Sequence, residues 1–269
     1  MVVSKEGTTG DDGARRPAGA PDTAASRSRL RHIALLAALL GVLAILFAAL
    51  AAHVAERGVL AWDDDILRYV ADRRTASLTG VMEVVTDLGA TVTLATLAIV
   101  LGALLLRKGL RREAFFLLLS TGSAAALNAL LKQLFQRPRP DVVAQVVPAH
   151  GFAFPSGHTM SSMALACAVT FVCWRLRWRY RWPVSLAALT LAVAIGASRV
   201  YLGVHYPSDV LAGWMASIIL VVVINLLLFE AHPPRLVPAS EPTPTARPGP
   251  ATARGELTTT AGGDRGDEA

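Results

Sequence analysis

Charge is scarce in this chain of 269 residues: Asp, Glu, Lys and Arg make up 17% of it, gathered in blocks between long uncharged stretches. Soluble domains ordinarily carry about 25%, so water is not the solvent for most of this fold. The remainder is 53% apolar with a mean hydropathy of +0.46, the profile of a chain solvated by lipid. Cysteine is equally sparse. Cys167 and Cys173 lie six residues apart in one apolar stretch; on a helix that is a rise of about 9 Å, too far for a bridge. A disulfide framework is excluded, and both read as buried thiols. Lysine is nearly missing, with 23 of the 26 cations being Arg. These are spread through tails and short loops without a continuous basic face, which argues against a nucleic-acid-binding surface.

What the chain does have is six segments free of Asp, Glu, Lys and Arg, at 33–52, 88–106, 114–131, 159–174, 183–198 and 210–229. A helix crosses about 30 Å of hydrocarbon in about 20 residues, so the expectation is an all-α bundle of six transmembrane helices occupying residues 32–230. The first segment is too long, and too far from the N-terminus, for a cleaved signal, and is expected to remain as an anchor. Residues 1–31 and the Pro-rich 231–269 lack the apolar surface to order themselves and are expected to be disordered tails. Basic residues set the orientation: Arg27, Arg29 and Arg31, then Arg107, Lys108, Arg111 and Arg112, then Arg175, Arg177, Arg179 and Arg181 all fall on one side, placing both tails in the cytoplasm. Trp174, Trp178 and Trp182 recur beside the last group as an interfacial aromatic belt. In the first outer loop, apolar residues at helical spacing over 64–85 predict a helix lying along the membrane surface.

The remaining polar side chains concentrate in two connections separated by two crossings, hence on the same side of the membrane. One runs KQLFQRPRP from Lys132, which ends the third span, to Arg139 and Pro140; PSGH at 155–158 then opens the fourth. The other runs SRVYLGVHYPSD, with Arg199 closing the fifth span and His205 and Asp209 opening the sixth. Lys132, Arg139 and Arg199 are three cations with few local acids, suited to an oxyanion of two or more charges, and Arg forks match phosphate oxygens. Ser156 and Gly157 sit where a helix begins, so their N–H groups and the Ser hydroxyl are expected to face the anion. With Pro207 as the first residue of the sixth span, Asp209 falls in its first turn and reaches back to a ring N–H of His205. That fixes the tautomer and frees the other nitrogen to attack phosphorus. His158 is then placed to protonate the leaving oxygen and later to activate water. His150 and Arg137 are left outside the site, and Asn128 is expected to make an interhelical hydrogen bond.

Lys132 with Arg139-Pro140, PSGH at 155–158, and Ser198-Arg199 with His205 and Asp209 together resemble the three-part signature of the type 2 phosphatidic acid phosphatase family, over roughly residues 60–229. The resemblance implies a six-helix membrane bundle related to vanadium haloperoxidases, and lipid phosphate hydrolysis through a phosphohistidine without cofactor or metal. It assigns phosphate binding to Lys132, Arg139, Ser156, Gly157 and Arg199, the acid to His158, and the nucleophile and its orienting carboxylate to His205 and Asp209. Prenyl diphosphate, phosphatidic acid and phosphatidylglycerol phosphate are the expected substrates, with the active site facing the extracytoplasmic side and the partners limited to lipid, with no nucleic acid. Two rivals use the same cations. A lipid or anion transporter is disfavoured because the spans hold no charge near the midplane; a vanadate-dependent haloperoxidase is disfavoured by six membrane spans.

Overall fold

The computed structural model describes residues 23–230, with side chains from 34 to 229. Within it the chain forms eight α-helices and, among the described residues, no strand. They are α1 (Thr23–Arg57), α2 (Ala61–Ala71), α3 (Ala76–Leu88), α4 (Thr91–Arg107), α5 (Arg111–Phe135), α6 (Gly157–Arg175), α7 (Arg181–Tyr201) and α8 (Pro207–Asn225), the last continuing as a π-helical turn over Leu226–Glu230. α1 begins inside the stretch expected to be N-terminal tail; the rest of both expected tails, 1–22 and 231–269, lies outside the described residues. Five helices (α1, α5, α6, α7 and α8) are each long and apolar enough to cross a bilayer. α3 and α4, bent by 48° across a short break, make the sixth candidate span. The chain is a multi-pass membrane protein.

Packing places α6 at the centre. Over half of its most apolar 18 residues are buried, 56%, against 6% in α1, which leaves most of α1 to lipid. Phe116 and Leu117 of α5, Met160, Ala164 and Ala168 of α6, and Val221 of α8 form the principal core. Small residues bring the helices close, as membrane interfaces require when lipid is as apolar as Leu. At Gly213 of α8, a Cβ would stand 3.2 Å from the Ser156 carbonyl and 3.3 Å from Thr159, and at Gly196 of α7 one would meet the Trp214 ring at 2.7 Å. These contacts seat the start of α8 directly against the start of α6.

The surface helix expected over 64–85 is two helices. Thr75 caps α3 by accepting the Leu78 N–H at 3.3 Å, and Arg74 ties the break down by donating to the carbonyls of Tyr201 and Ala144, each at 2.8 Å. α3 then leads into α4 at a corner occupied by Gly89. A Cβ there would collide with Ile195 of α7 and come within 3.3 Å of the His158 ring, so the absence of a side chain lets the bent span close over the His158 end of α6. At the opposite end, Trp174 and Trp182 meet edge-on at 4.6 Å between centroids, beside the arginines of the α6–α7 turn.

Candidate active site

The two connections named by the sequence meet at one end of the bundle. Residues 136–156 contain no helix and are fixed by backbone bonds: the Ala153 N–H donates to the Arg137 carbonyl at 2.9 Å, and the Val146 N–H to that of Leu202 at 3.0 Å. The α7–α8 connection is only five residues long, turns at Gly203 with a φ of +75°, and carries His205. There Gly is favoured twice, for the left-handed backbone and because a Cβ would stand 3.0 Å from the Ala144 carbonyl.

His205 is 1% exposed and held at both ring nitrogens. Nδ1 lies 3.2 Å from Oδ2 of Asp209, which in turn accepts the Tyr206 N–H at 2.9 Å. Asp209 sits in the first turn of α8, which begins at Pro207. On the other side, Nη1 of Arg139 stands 3.2 Å from Nε2. A guanidinium only donates and a carboxylate only accepts, so these partners assign the proton to Nδ1 and the lone pair to Nε2. Burial lowers the pKa of His205 to about 4, against the opposing pull of Asp209, which keeps the ring neutral at pH 7.

Arg139 is fixed by carbonyls: Nε donates to Gly151 at 3.0 Å, Nη1 to Val204 at 2.8 Å and Nη2 to His150 at 2.8 Å. His150 therefore serves the site through its backbone. Arg199 is 5% exposed and donates from Nη1 to the Thr86 hydroxyl at 2.7 Å, while its buried Nε has no partner among the described residues. Lys132 and His158 are half-buried at the ends of α5 and α6, both within electrostatic range of Arg139 and Arg199. His158 is also within range of His205. The three cations and two histidines thus share one site.

Ser156 and Gly157 lie at the start of α6, as expected, but the Ser156 N–H is already engaged, donating to the Asp209 carbonyl at 3.1 Å. The Ser156 side chain is fully buried, and its oxygen accepts from Thr159 at 2.8 Å, which leaves its own proton to donate. Asn128 braces this helix start by donating to the Pro155 carbonyl at 3.1 Å. Four residues enter that the sequence reading left out: Thr86 behind Arg199, and Asp63, Arg137 and Ser208 behind Asp209. No local signal marks them, because each partner is 70 or more residues away in the chain. Among the described residues, no three His, Cys, Asp or Glu side chains gather in a way that could hold a metal ion.

Beneath the site an apolar groove of about 210 Å³ runs between α4, α5 and α6, lined by Leu94, Ala98, Leu118, Gly122, Ala125 and Leu165 among others. Ala125 is seven residues before Lys132, and Leu165 seven after His158, so the groove continues the same helix faces two turns into the bilayer.

A helical membrane bundle that sets two histidines among three cations at the mouth of its central helix defines a class, and residues 113–233 match the model of the PAP2 superfamily. The chain belongs to that family and is a membrane lipid phosphatase of the PAP2 type. Among curated proteins, phosphatidylglycerophosphatase B of Bacillus subtilis is 33% identical over 65% of this chain and 88% of its own length. The undecaprenyl-diphosphatase BcrC of the same organism is 34% identical over 41% of this chain and 53% of its own length. Among solved structures, the first transmembrane PAP2-type phosphatidylglycerolphosphate phosphatase from Bacillus subtilis superposes with a TM-score of 0.66 at 30% identity, over 73% of this chain and 98% of that one.

Proposed function

We propose that this phosphatase cleaves the terminal phosphoryl group from a membrane lipid monophosphate or diphosphate through a phosphohistidine on His205, at the extracytoplasmic face. The observation that carries the reading is the pairing of a buried, neutral imidazole, its Nδ1–H directed at Asp209, with an unprotonated Nε2 turned toward Arg139. Nε2 attacks phosphorus in line; the P–O bond to the departing alcohol or lipid phosphate breaks, and His158 supplies the proton that leaves with it. Asp209 stabilises the positive charge that the phosphorylated ring then shares. Water, losing its proton to His158, attacks phosphorus; the P–N bond breaks, its electron pair returning to Nε2 of His205, and inorganic phosphate is released.

Lys132, Arg139 and Arg199 hold the equatorial oxygens throughout, and the unpartnered Nε of Arg199 and the hydroxyl proton of Ser156 complete the cradle. Arg139 stands over Nε2 when no substrate is bound, so an entering phosphate oxygen takes over that donor as phosphorus reaches the ring. The lipid chain lies in the groove between α4, α5 and α6, two turns below Lys132 and His158. Phosphatidylglycerol phosphate, phosphatidic acid and prenyl diphosphates all offer the same group to this cradle, and the relatives' names span the first and the last. The basic α4–α5 and α6–α7 turns at the far end of the bundle support an orientation with the site outside and both tails in the cytoplasm.

The test is to trap the intermediate. Enzyme mixed with a ³²P-labelled lipid phosphate and quenched in detergent at alkaline pH, where phosphoramidates survive, is expected to carry acid-labile label on His205. His205→Asn is expected to carry none and to turn over nothing. Label on another residue, or near-normal phosphate release by His205→Asn, overturns the assignment.

A further inference from the structure

Behind the nucleophile lies a row of three buried charges, of which the chemistry above uses one. Asp63 of α2, Arg137 of the α5–α6 connection and Asp209 of α8 are each no more than 2% exposed. Arg137 donates from Nη1 to Oδ1 of Asp209 at 2.5 Å and to the Ser208 hydroxyl at 2.7 Å, and from Nη2 to Oδ2 of Asp63 at 2.8 Å. Asp63 accepts the Ser208 N–H on Oδ1 at 2.9 Å and the Ser208 hydroxyl on Oδ2 at 2.5 Å. The Arg137 guanidinium also lies 4.2 Å from the Tyr206 ring centroid.

A buried ion triad is a poor way to gain stability, since desolvation cancels much of its attraction and apolar replacements often do as well. Its geometry is the better explanation. The carboxylate of Asp209 can swing about a broad torsion, and a hold on Oδ1 reinforces the contacts of Oδ2 with His205 and Tyr206. Arg137 is that holder, and Asp63 fixes Arg137 and the first turn of α8 together.

We propose that Asp63 and Arg137 are positioning residues that hold the Asp209 carboxylate, and through it the His205 ring, in the attacking orientation. Helix α2, outside the six expected spans, is then a working part of the active site. The proposal rests on His205 being the nucleophile.

The experiment compares Asp63→Asn, Arg137→Met, Arg137→Lys and His205→Asn with the wild type in detergent, reading kcat, KM and the titration of His205 by NMR of ¹⁵N-imidazole-labelled protein. In the first three, kcat is expected to fall about tenfold to a hundredfold, the scale of a misplaced reacting group, with KM within about threefold. The groups facing His205 are Asp209 of α8, Arg139 of the connection, Arg199 of α7 and His158 of α6. Without Arg137 the charge of Asp209 is uncompensated, so Arg137→Met raises the His205 midpoint; without the Asp63 charge Arg137 screens Asp209 more, so Asp63→Asn lowers it. Arg137→Lys keeps the charge and restores the midpoint, but recovers only part of kcat because one ammonium replaces a fork.

A wild-type kcat in Asp63→Asn, or midpoints that move the same way in Asp63→Asn and Arg137→Met, overturns the proposal. Should Arg137→Met fail to fold, Asp63→Asn and Arg137→Lys decide it by the same readings. An inactive His205→Asn beside an unaffected Asp63→Asn defeats this proposal alone, whereas an active His205→Asn defeats the reading beneath it.

Discussion

Burial is the largest influence on His205: it pushes the ring's pKa from 6.5 down to about 4, and Arg139 and Arg199 push the same way, while Asp209 pulls it up through its hydrogen bond and charge. The role proposed for His205 requires an unprotonated ring, and a depressed pKa keeps it so at every pH above the folded midpoint. Protonation of the unfolded chain begins near 6.5, so this residue contributes a loss of stability as pH falls from there toward 4. We expect the ¹⁵N shifts of His205 in the substrate-free enzyme to titrate near pH 4, with a neutral Nδ1–H tautomer above it. A midpoint at the ordinary 6.5 would mean that the ring is hydrated and that half of the enzyme is unreactive at that pH. The three cations and two histidines singled out by spacing lie near one another because their motifs are short and sit at helix ends or in the connections between them. Asp63 was not legible: it opens a run of three aspartates, and nothing local tells which carboxylate turns inward to meet Arg137 and Ser208, 74 and 145 residues away.

At the scale of elements, seating the lipid chain in the groove beneath Lys132 and His158, as proposed, assigns chain-length selection to the α4–α5–α6 face. Gly122 lines it, and a Cβ at that position meets nothing within 4 Å, so Gly122→Leu adds a side chain at the groove wall where there is room for one. We expect kcat/KM for a long-chain lipid phosphate to fall about tenfold, because a chain denied its seat leaves phosphorus misplaced over Nε2. A short-chain, water-soluble phosphate should be hydrolysed at an unchanged rate. An equal loss on both substrates would place the chain elsewhere. Helix boundaries were legible where charge marks the ends of spans, as at Arg107, Arg111 and Arg175. The corner at Gly89 was not, because the reason for it is the crowding of Ile195 and His158, which come from distant helices.

For the whole molecule, sidedness is the open consequence of charge. In a variant with Cys167 and Cys173 replaced, Ser77→Cys at the start of α3 is expected to react with a membrane-impermeant maleimide added to intact cells. Lys108→Cys, in the α4–α5 turn, should react only after the membrane is permeabilised. Both positions are exposed, so the reverse pattern would turn the site toward the cytoplasm. The number of spans was readable from hydropathy because a bilayer imposes one length on every crossing; the depth at which each helix is buried was not, since α1 is the most apolar of the five long helices and the least enclosed.

That contrast bears on how the enzyme meets bilayers of different thickness. The first turn of α8 is anchored to His205, Asp63 and Arg137, and the helices around it are drawn together by small residues, so they cannot slide or tilt singly without breaking these contacts. α1 is free of that constraint over most of its length. Hydrophobic mismatch is therefore expected to be taken up by the lipid-facing part of α1 and by deformation of the surrounding lipid, with activity varying little between thin and thick bilayers.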